Sequence, residues 1–136
     1  MAEPELRTHR TVFVVRVRWL DAHTSEEVDR AFERYLARVD EPSRLPVDFG
    51  TVAYTSSFIG VILYAANEGF GHRVACMRLS PNVRLVLDLL DIWSLPQFEA
   101  VPDGVCPACA APGFVYETYS CAACGDLATF TVEIDG

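Results

Sequence analysis

Lysine is missing from this 136-residue chain; all eleven basic side chains are arginine. Schiff-base chemistry on a lysine amine is thereby excluded. Long apolar runs are missing as well. The longest, Phe58 to Ala66, has nine residues, whereas a membrane-spanning helix needs about 20. The opening Met-Ala-Glu-Pro-Glu carries no basic stretch followed by an apolar segment and a small-residue cleavage site, so the expectation is a cytoplasmic protein without a secretory signal or a membrane partner. From Val101 to the end there is no basic residue, while Asp103, Glu117, Asp126, Glu133 and Asp135 are acidic. That segment repels phosphates, and nucleic acid is not expected as a partner. The arginines at 30, 34 and 38 are interleaved with Glu26, Asp29 and Glu33 and read as a solvated, mixed-charge helix face.

Catalytic groupings are equally scarce. His9, His23 and His72 lie in the terminus and in turns, none beside a Ser, Asp or Glu constellation, and Gly69-Phe70-Gly71 reads as a helix end rather than a phosphate loop. No enzymatic activity is expected. What the chain has is apolar content, 51%, enough for one ordinary core and a small appendage.

The periodicities alternate. In Thr11 to Trp19, Phe13, Val15, Val17 and Trp19 share one face and Val12, Val14, Arg16 and Arg18 the other, which predicts a strand partly covered on its second side. Thr24 and Glu27 form a capping box before a helix whose core stripe is Val28, Ala31, Phe32, Tyr35, Leu36 and Val39. A short strand is expected over Val47 to Val52. A second, nearly all-apolar helix is expected from Phe58 to Ala66, capped by Ser56 or Ser57. A third strand, Arg73 to Leu79, leads to Ser80-Pro81, a helix start in which proline's missing N–H leaves nothing unpaired. That helix runs Asn82 to Leu90, and Phe98 to Val101 adds a last strand. Alternating strands and helices predict an α/β layer with at least partly parallel strands.

From Val47 to about Val101, the stretches VDFGTVAYTSSFIGVIL and HRVACMRLSPNVRLVLDLLDIW resemble a STAS domain, the fold of bacterial anti-sigma-factor antagonists. Val47-Asp48-Phe49 fits the family's strand, and Ser56-Ser57-Phe58-Ile59-Gly60-Val61 fits its loop and helix start, in the Ser-Phe-Ile version seen in stressosome scaffolds. With the Thr11 strand and the Thr24 helix included, the likeness covers most of the first hundred residues. The resemblance implies a mixed sheet with helices, and it makes Ser57 the serine that a partner kinase phosphorylates. Ser56 is its neighbour, and Thr55 and Ser56 stand where the family carries an acidic residue. The residues by themselves allow a plainer role, in which Ser56 and Ser57 only cap the helix. The implied partner is a protein, an anti-sigma factor with serine kinase activity or a stressosome-like component.

Cys106-Pro-Ala-Cys109 and Cys121-Ala-Ala-Cys124-Gly125 are two knuckles separated by eleven residues, close to the spacing of a zinc ribbon. Each turn presents two thiolates while its backbone N–H groups point at the sulfurs, and two turns complete a tetrahedral shell. With four sulfurs no position is open for water or substrate, so the ion is expected to be structural. Zinc is the expected metal. Iron in a rubredoxin-like electron carrier has the same ligand set, and disulfides would need an oxidising compartment. A thioredoxin-type redox pair is the weakest reading of the four. Phe114 to Tyr119 and Ala128 to Ile134 are strand-like and are expected to form the ribbon's hairpins. Cys76, inside an apolar strand, reads as a buried small side chain.

The expected architecture is a STAS-like α/β domain over residues 1–101 followed by a zinc ribbon over 102–136. Three functions are open: a phosphorylation-switched regulatory protein, a constitutive adaptor docking partner proteins, and an iron electron carrier.

Overall fold

The computed structural model describes residues 11–38, 44–55, 73–96 and 98–134. The second expected helix, with Ser56, Ser57, His9 and His72, lies outside them. Among the described residues no helix is long and apolar enough to cross a membrane.

Among the described residues the order opens with β1 (Thr11–Arg16) and β2 (Trp19–Leu20), then α1 (Ala22–Arg38). Next come β3 (Arg44–Asp48), β4 (Tyr54–Thr55), β5 (Arg73–Met77) and α2 (Pro81–Leu89). A 3-10 turn (Ile92–Ser94) leads to β6 (Phe98–Ala100), and β7 (Ser120–Cys121), β8 (Gly125–Asp126) and β9 (Ala128–Glu133) complete the order. Five strands make one sheet in the order β6-β5-β3-β1-β9. Every pair in it is parallel, where a mixed sheet was expected. Each connection is longer than the dozen or so residues a parallel crossover requires, so the chain can return to the same end of the sheet every time.

The largest departure from the sequence reading is β9. Expected in a ribbon hairpin, it pairs with β1 over its whole length, from Thr11↔Ala128 to Arg16↔Glu133. The cause is its alternation: Phe130, Val132 and Ile134 all join the core on the helix side of the sheet. Phe130 stacks on Phe13 at 6.0 Å and meets Tyr35 edge-on at 5.7 Å.

Smaller shifts have local causes. The first helix starts earlier than the Thr24 box implied, because Asp21 caps it. Asp21 Oδ1 accepts from the N–H groups of His23 at 2.9 Å and Thr24 at 3.2 Å, and Thr24 Oγ1 accepts from Asp21 N–H in return. Thr24 is the third helical residue rather than the cap, and the box is Asp21 with Thr24, one turn upstream of the expected Thr24–Glu27 pair. β3 likewise begins before Val47 and stops at Asp48. Its ladder to β1 starts at Val47, one residue past Pro46, which has no N–H to give. Residues 49 to 52 then turn, with Val52 N–H on Phe49 C=O at 2.9 Å. The α2 start follows its sequence signal: Ser80 is the cap, its side chain accepting from Val83 N–H, and Pro81 opens the helix.

Period-two alternation in the strands splits the core in two. On one face Phe13, Val15, Leu45, Val47, Val74 and Cys76 pack against α1 and α2 through Phe32, Tyr35, Val83 and Leu87. On the other, Val12, Val14, Ala75 and Met77 pack against Val101, Cys106, Phe114, Tyr119, Cys121 and Leu127. The cysteine-bearing segment is therefore the crossover from one sheet edge to the other. It lies over the face that the helices leave open.

Candidate metal centre

Two short turns build the centre. The first follows the bridge between Val105 and Pro112, with Cys106 N–H on Ala111 C=O and Ala110 N–H on Cys106 C=O, both at 2.9 Å. The second is closed by the antiparallel pairing of β7 and β8, which places Cys121 opposite Gly125. The residue after each second cysteine takes a left-handed conformation, Ala110 with φ 66° and Gly125 with φ 94°. Phe114 to Tyr119, expected as a strand, is a turn anchored by one bridge, Val115↔Ser120.

These turns bring Cys106, Cys109, Cys121 and Cys124 together, with all four Sγ atoms within 4.8 Å of one another. Across the knuckles Cys109 stands 3.5 Å from Cys121 and Cys106 3.7 Å from Cys124. Sulfurs at about 2.3 Å from a tetrahedral ion stand about 3.8 Å apart. The cluster is thus near ligand geometry and can hold a metal ion. No disulfide joins the four; Cys106 and Cys121 are buried and Cys109 is exposed. Backbone N–H groups face the sulfurs: Ala108 N–H donates to Cys106 Sγ at 3.4 Å. The N–H of Cys124, helped by that of Ala123, holds the Cys121 thiol down at about 6 against the opposing effect of burial. Burial is the larger influence on Cys106 and raises it. Thiolate is the form a metal takes, and backbone dipoles favour it here.

Cys76 stands apart in β5, where burial, with Glu99 adding to it, pushes its thiol up to about 12. It is the inert core residue its sequence context suggested. His23 is exposed at the start of α1.

Sequence reasoning missed a polar cluster that ties this segment to the sheet. Asp48, at the end of β3, is completely buried. Its carboxylate accepts from Gly50 N–H at 2.8 Å, from Arg78 Nε at 3.0 Å, from Arg78 Nη2, and from the Tyr119 hydroxyl at 2.7 Å. Arg78 lies over the Tyr116 ring at 4.4 Å, and the Tyr116 hydroxyl accepts from Gly104 N–H at 2.8 Å. The bond to Asp48 raises Arg78 further. Burial first, and Asp48 second, push the Tyr119 phenol up to about 12, so it remains a donor at neutral pH. Four donors satisfy the buried charge, as burial of a carboxylate demands. The only signals in the sequence were an acid closing one strand and an arginine following another.

Compared with protein-family models, with curated proteins and with solved structures, the chain matches none.

Proposed function

We propose that this chain is a non-enzymatic regulatory protein acting by protein–protein contact, with its four cysteines holding one structural zinc ion. The observation that carries the metal half is the closed set of four sulfurs within 4.8 Å. It leaves no ligand position for water or substrate, the arrangement of structural rather than hydrolytic zinc sites. Zinc there would fix the crossover that covers one face of the sheet.

The regulatory half rests on the likeness to anti-sigma-factor antagonists and on what surrounds the entry to the Ser56-Ser57 loop. Thr55 N–H donates to Asn82 Oδ1 at 2.9 Å, and Ser80 Oγ to Ala53 C=O at 3.2 Å. Both bonds hold the chain that leads into Ser57 against the start of α2. Beside it Trp19 and Tyr54 stack at 4.3 Å with nearly half of each exposed. An exposed aromatic pair, one ring of it on the strand that precedes Ser56 and Ser57 in the chain, suits a partner-reading surface. A phosphate on Ser57 adds about −1.5 to −2 charge, which a partner of the anti-sigma-factor kinase or stressosome class would have to desolvate or repel.

Elemental analysis of the purified chain tests the metal, with one zinc per chain expected. One iron and a red colour would make the chain an electron carrier instead. Affinity capture with mass spectrometry of Ser57 tests the switch, and Ser57→Asp is expected to release the captured partner without lowering the melting temperature. A partner that binds Ser57→Asp as well as wild type, with no phosphate on the native serine, leaves the constitutive adaptor as the reading.

A further inference from the structure

β3 pairs with both β1 and β5 in parallel, so the carboxyl ends of three adjacent strands lie side by side. Crevices at that end are where open parallel sheets take small molecules. Here the crevice has a roof. A cavity of about 220 Å³ is walled by Arg16, Asp48 and Arg78 from the sheet and by Tyr116, Glu117 and Tyr119 from the loop between the knuckles. That volume falls below the roughly 300–1,000 Å³ of drug-sized pockets, so it suits a molecule about the size of an amino acid.

Arg78 is held there by three constraints. Its backbone is left-handed at φ 52°, a conformation that non-glycine residues seldom adopt. Asp48 grips two of its nitrogens, and Tyr116 lies against its plane. Gly50 makes the room, since a Cβ there would overlap the guanidinium. Yet 32% of the Arg78 side chain remains exposed, leaving an outer edge of fixed N–H donors. A latch between sheet and loop explains the buried edge of this arginine but not the open one.

Arg16, at the end of β1, and Glu117, in the loop between the knuckles, line the same cavity, and neither side chain has an ion-pair partner among the described residues. The Asp48 charge is already satisfied by its four donors. Among the described residues the lining therefore holds one cation and one anion without an ion-pair partner, together with the Arg78 edge. We propose that it binds a small amino carboxylate, the carboxylate on Arg16 and the outer edge of Arg78, the ammonium toward Glu117. A phosphate dianion suits the site less well, because Glu117 repels it.

The test is titration calorimetry on the full chain as purified. Each standard amino acid is offered at millimolar concentration, with acetate, methylamine and inorganic phosphate as comparisons. At least one amino acid is expected to bind where the three simple ions do not. Arg16→Gln and Glu117→Gln, both at exposed positions that leave the fold intact by circular dichroism, should each weaken that binding about ten- to hundredfold. Arg18→Gln, exposed but outside the cavity, should leave it unchanged. Binding of phosphate alone, binding of no probe, or binding that both cavity substitutions leave unaltered overturns the assignment.

Discussion

One sheet is covered in two ways. On the helix side, α1 and α2 bring large side chains to Phe13: Phe32 at 4.7 Å, Tyr35 at 5.4 Å, with Leu87 and Ile92 fully buried nearby. That side needs only apolar area and regular backbone hydrogen bonds. On the other side the sheet presents Val12, Val14, Ala75 and Met77 to a segment whose regular structure is two two-residue strands. A segment so short of apolar area and of ladder bonds cannot offset its own ordering entropy by packing alone. On the proposed reading its order comes from cross-links instead, a metal held by the four sulfurs at one end and the buried Asp48, reached through Tyr119, at the other. The lesson is that a second layer on a sheet can be assembled with little regular structure when a few strong local ties add to its apolar contacts.

Removing the tie is the severest way to break the contrast. Apparent binding free energies for structural zinc in small modules reach about 10–16 kcal/mol, more than any single core substitution removes. Chelation, or Cys121→Ser, is expected to abolish amide protection over residues 101–127 and then at the edge strand β9, while α1 stays protected. Hydrogen exchange read by mass spectrometry checks this. Unchanged protection in the metal-free chain would refute the cross-link account. Phe13→Ala attacks the other side. Loss of a fully buried phenylalanine costs about 3–5 kcal/mol, and because Phe13 also contacts Phe130 of β9 at 6.0 Å, protection should fall in all elements together. Metal stoichiometry should not change.

How much of this could be read in the sequence follows the same division. The helix side was legible because its signals are local: the alternation of Phe13 and Val15, the stripe from Val28 to Leu36, and Ser80-Pro81 before α2. The four cysteines were legible because each knuckle spans four residues. What escaped is non-local. Ala128 to Ile134 has the alternation of a strand, but nothing in it names Thr11 to Arg16 as its partner across more than a hundred residues of chain. Asp48, Arg78 and Tyr119 are likewise distant in sequence, joined only once the crossover folds over the sheet. The Asp21 cap was passed over because Thr24 and Glu27 satisfy the usual pattern. Asp21 lies closer to the strand it follows, and its own N–H bond to Thr24 closes the earlier box.

The second tie can be cut alone. Tyr119→Phe removes one of four donors to a buried carboxylate, at a cost of about 1–3 kcal/mol, without touching a sulfur. The pH dependence identifies the group. In the unfolded chain a tyrosine ionises near pH 10, whereas Tyr119 in the fold holds its proton to about 12. Its folded pKa is the higher one, so its contribution is complete below about pH 10 and is lost as pH rises toward about 12, at about 1.4 kcal/mol per unit. The gap in stability between wild type and Tyr119→Phe should therefore narrow across that window. Tyr35, raised by burial and bonded to Thr11 C=O at 2.9 Å, keeps the same alkaline sensitivity in both proteins. Denaturant melts at stepped alkaline pH give the measurement, and a gap that widens would exclude Tyr119 as the donor.

The smallest effect separates the two knuckles from each other. Both need a left-handed residue after their second cysteine, and only the second has glycine there, Gly125 at φ 94° against Ala110 at φ 66°. An L-residue in that region costs about 1–2 kcal/mol, while glycine's extra freedom in the unfolded chain takes back roughly 0.5–1 kcal/mol. Ala110→Gly is therefore expected to stabilise the chain by about 0.5 kcal/mol, keeping the Ala110 N–H bond to Cys106 C=O at 2.9 Å. Ala110 is exposed, so little packing is lost with its methyl group. Gly125→Ala should do the reverse and cost about 0.5–1 kcal/mol. Paired melts of the metal-loaded proteins decide the matter: if Ala110→Gly destabilises while Gly125→Ala is neutral, backbone strain is not what distinguishes the two turns.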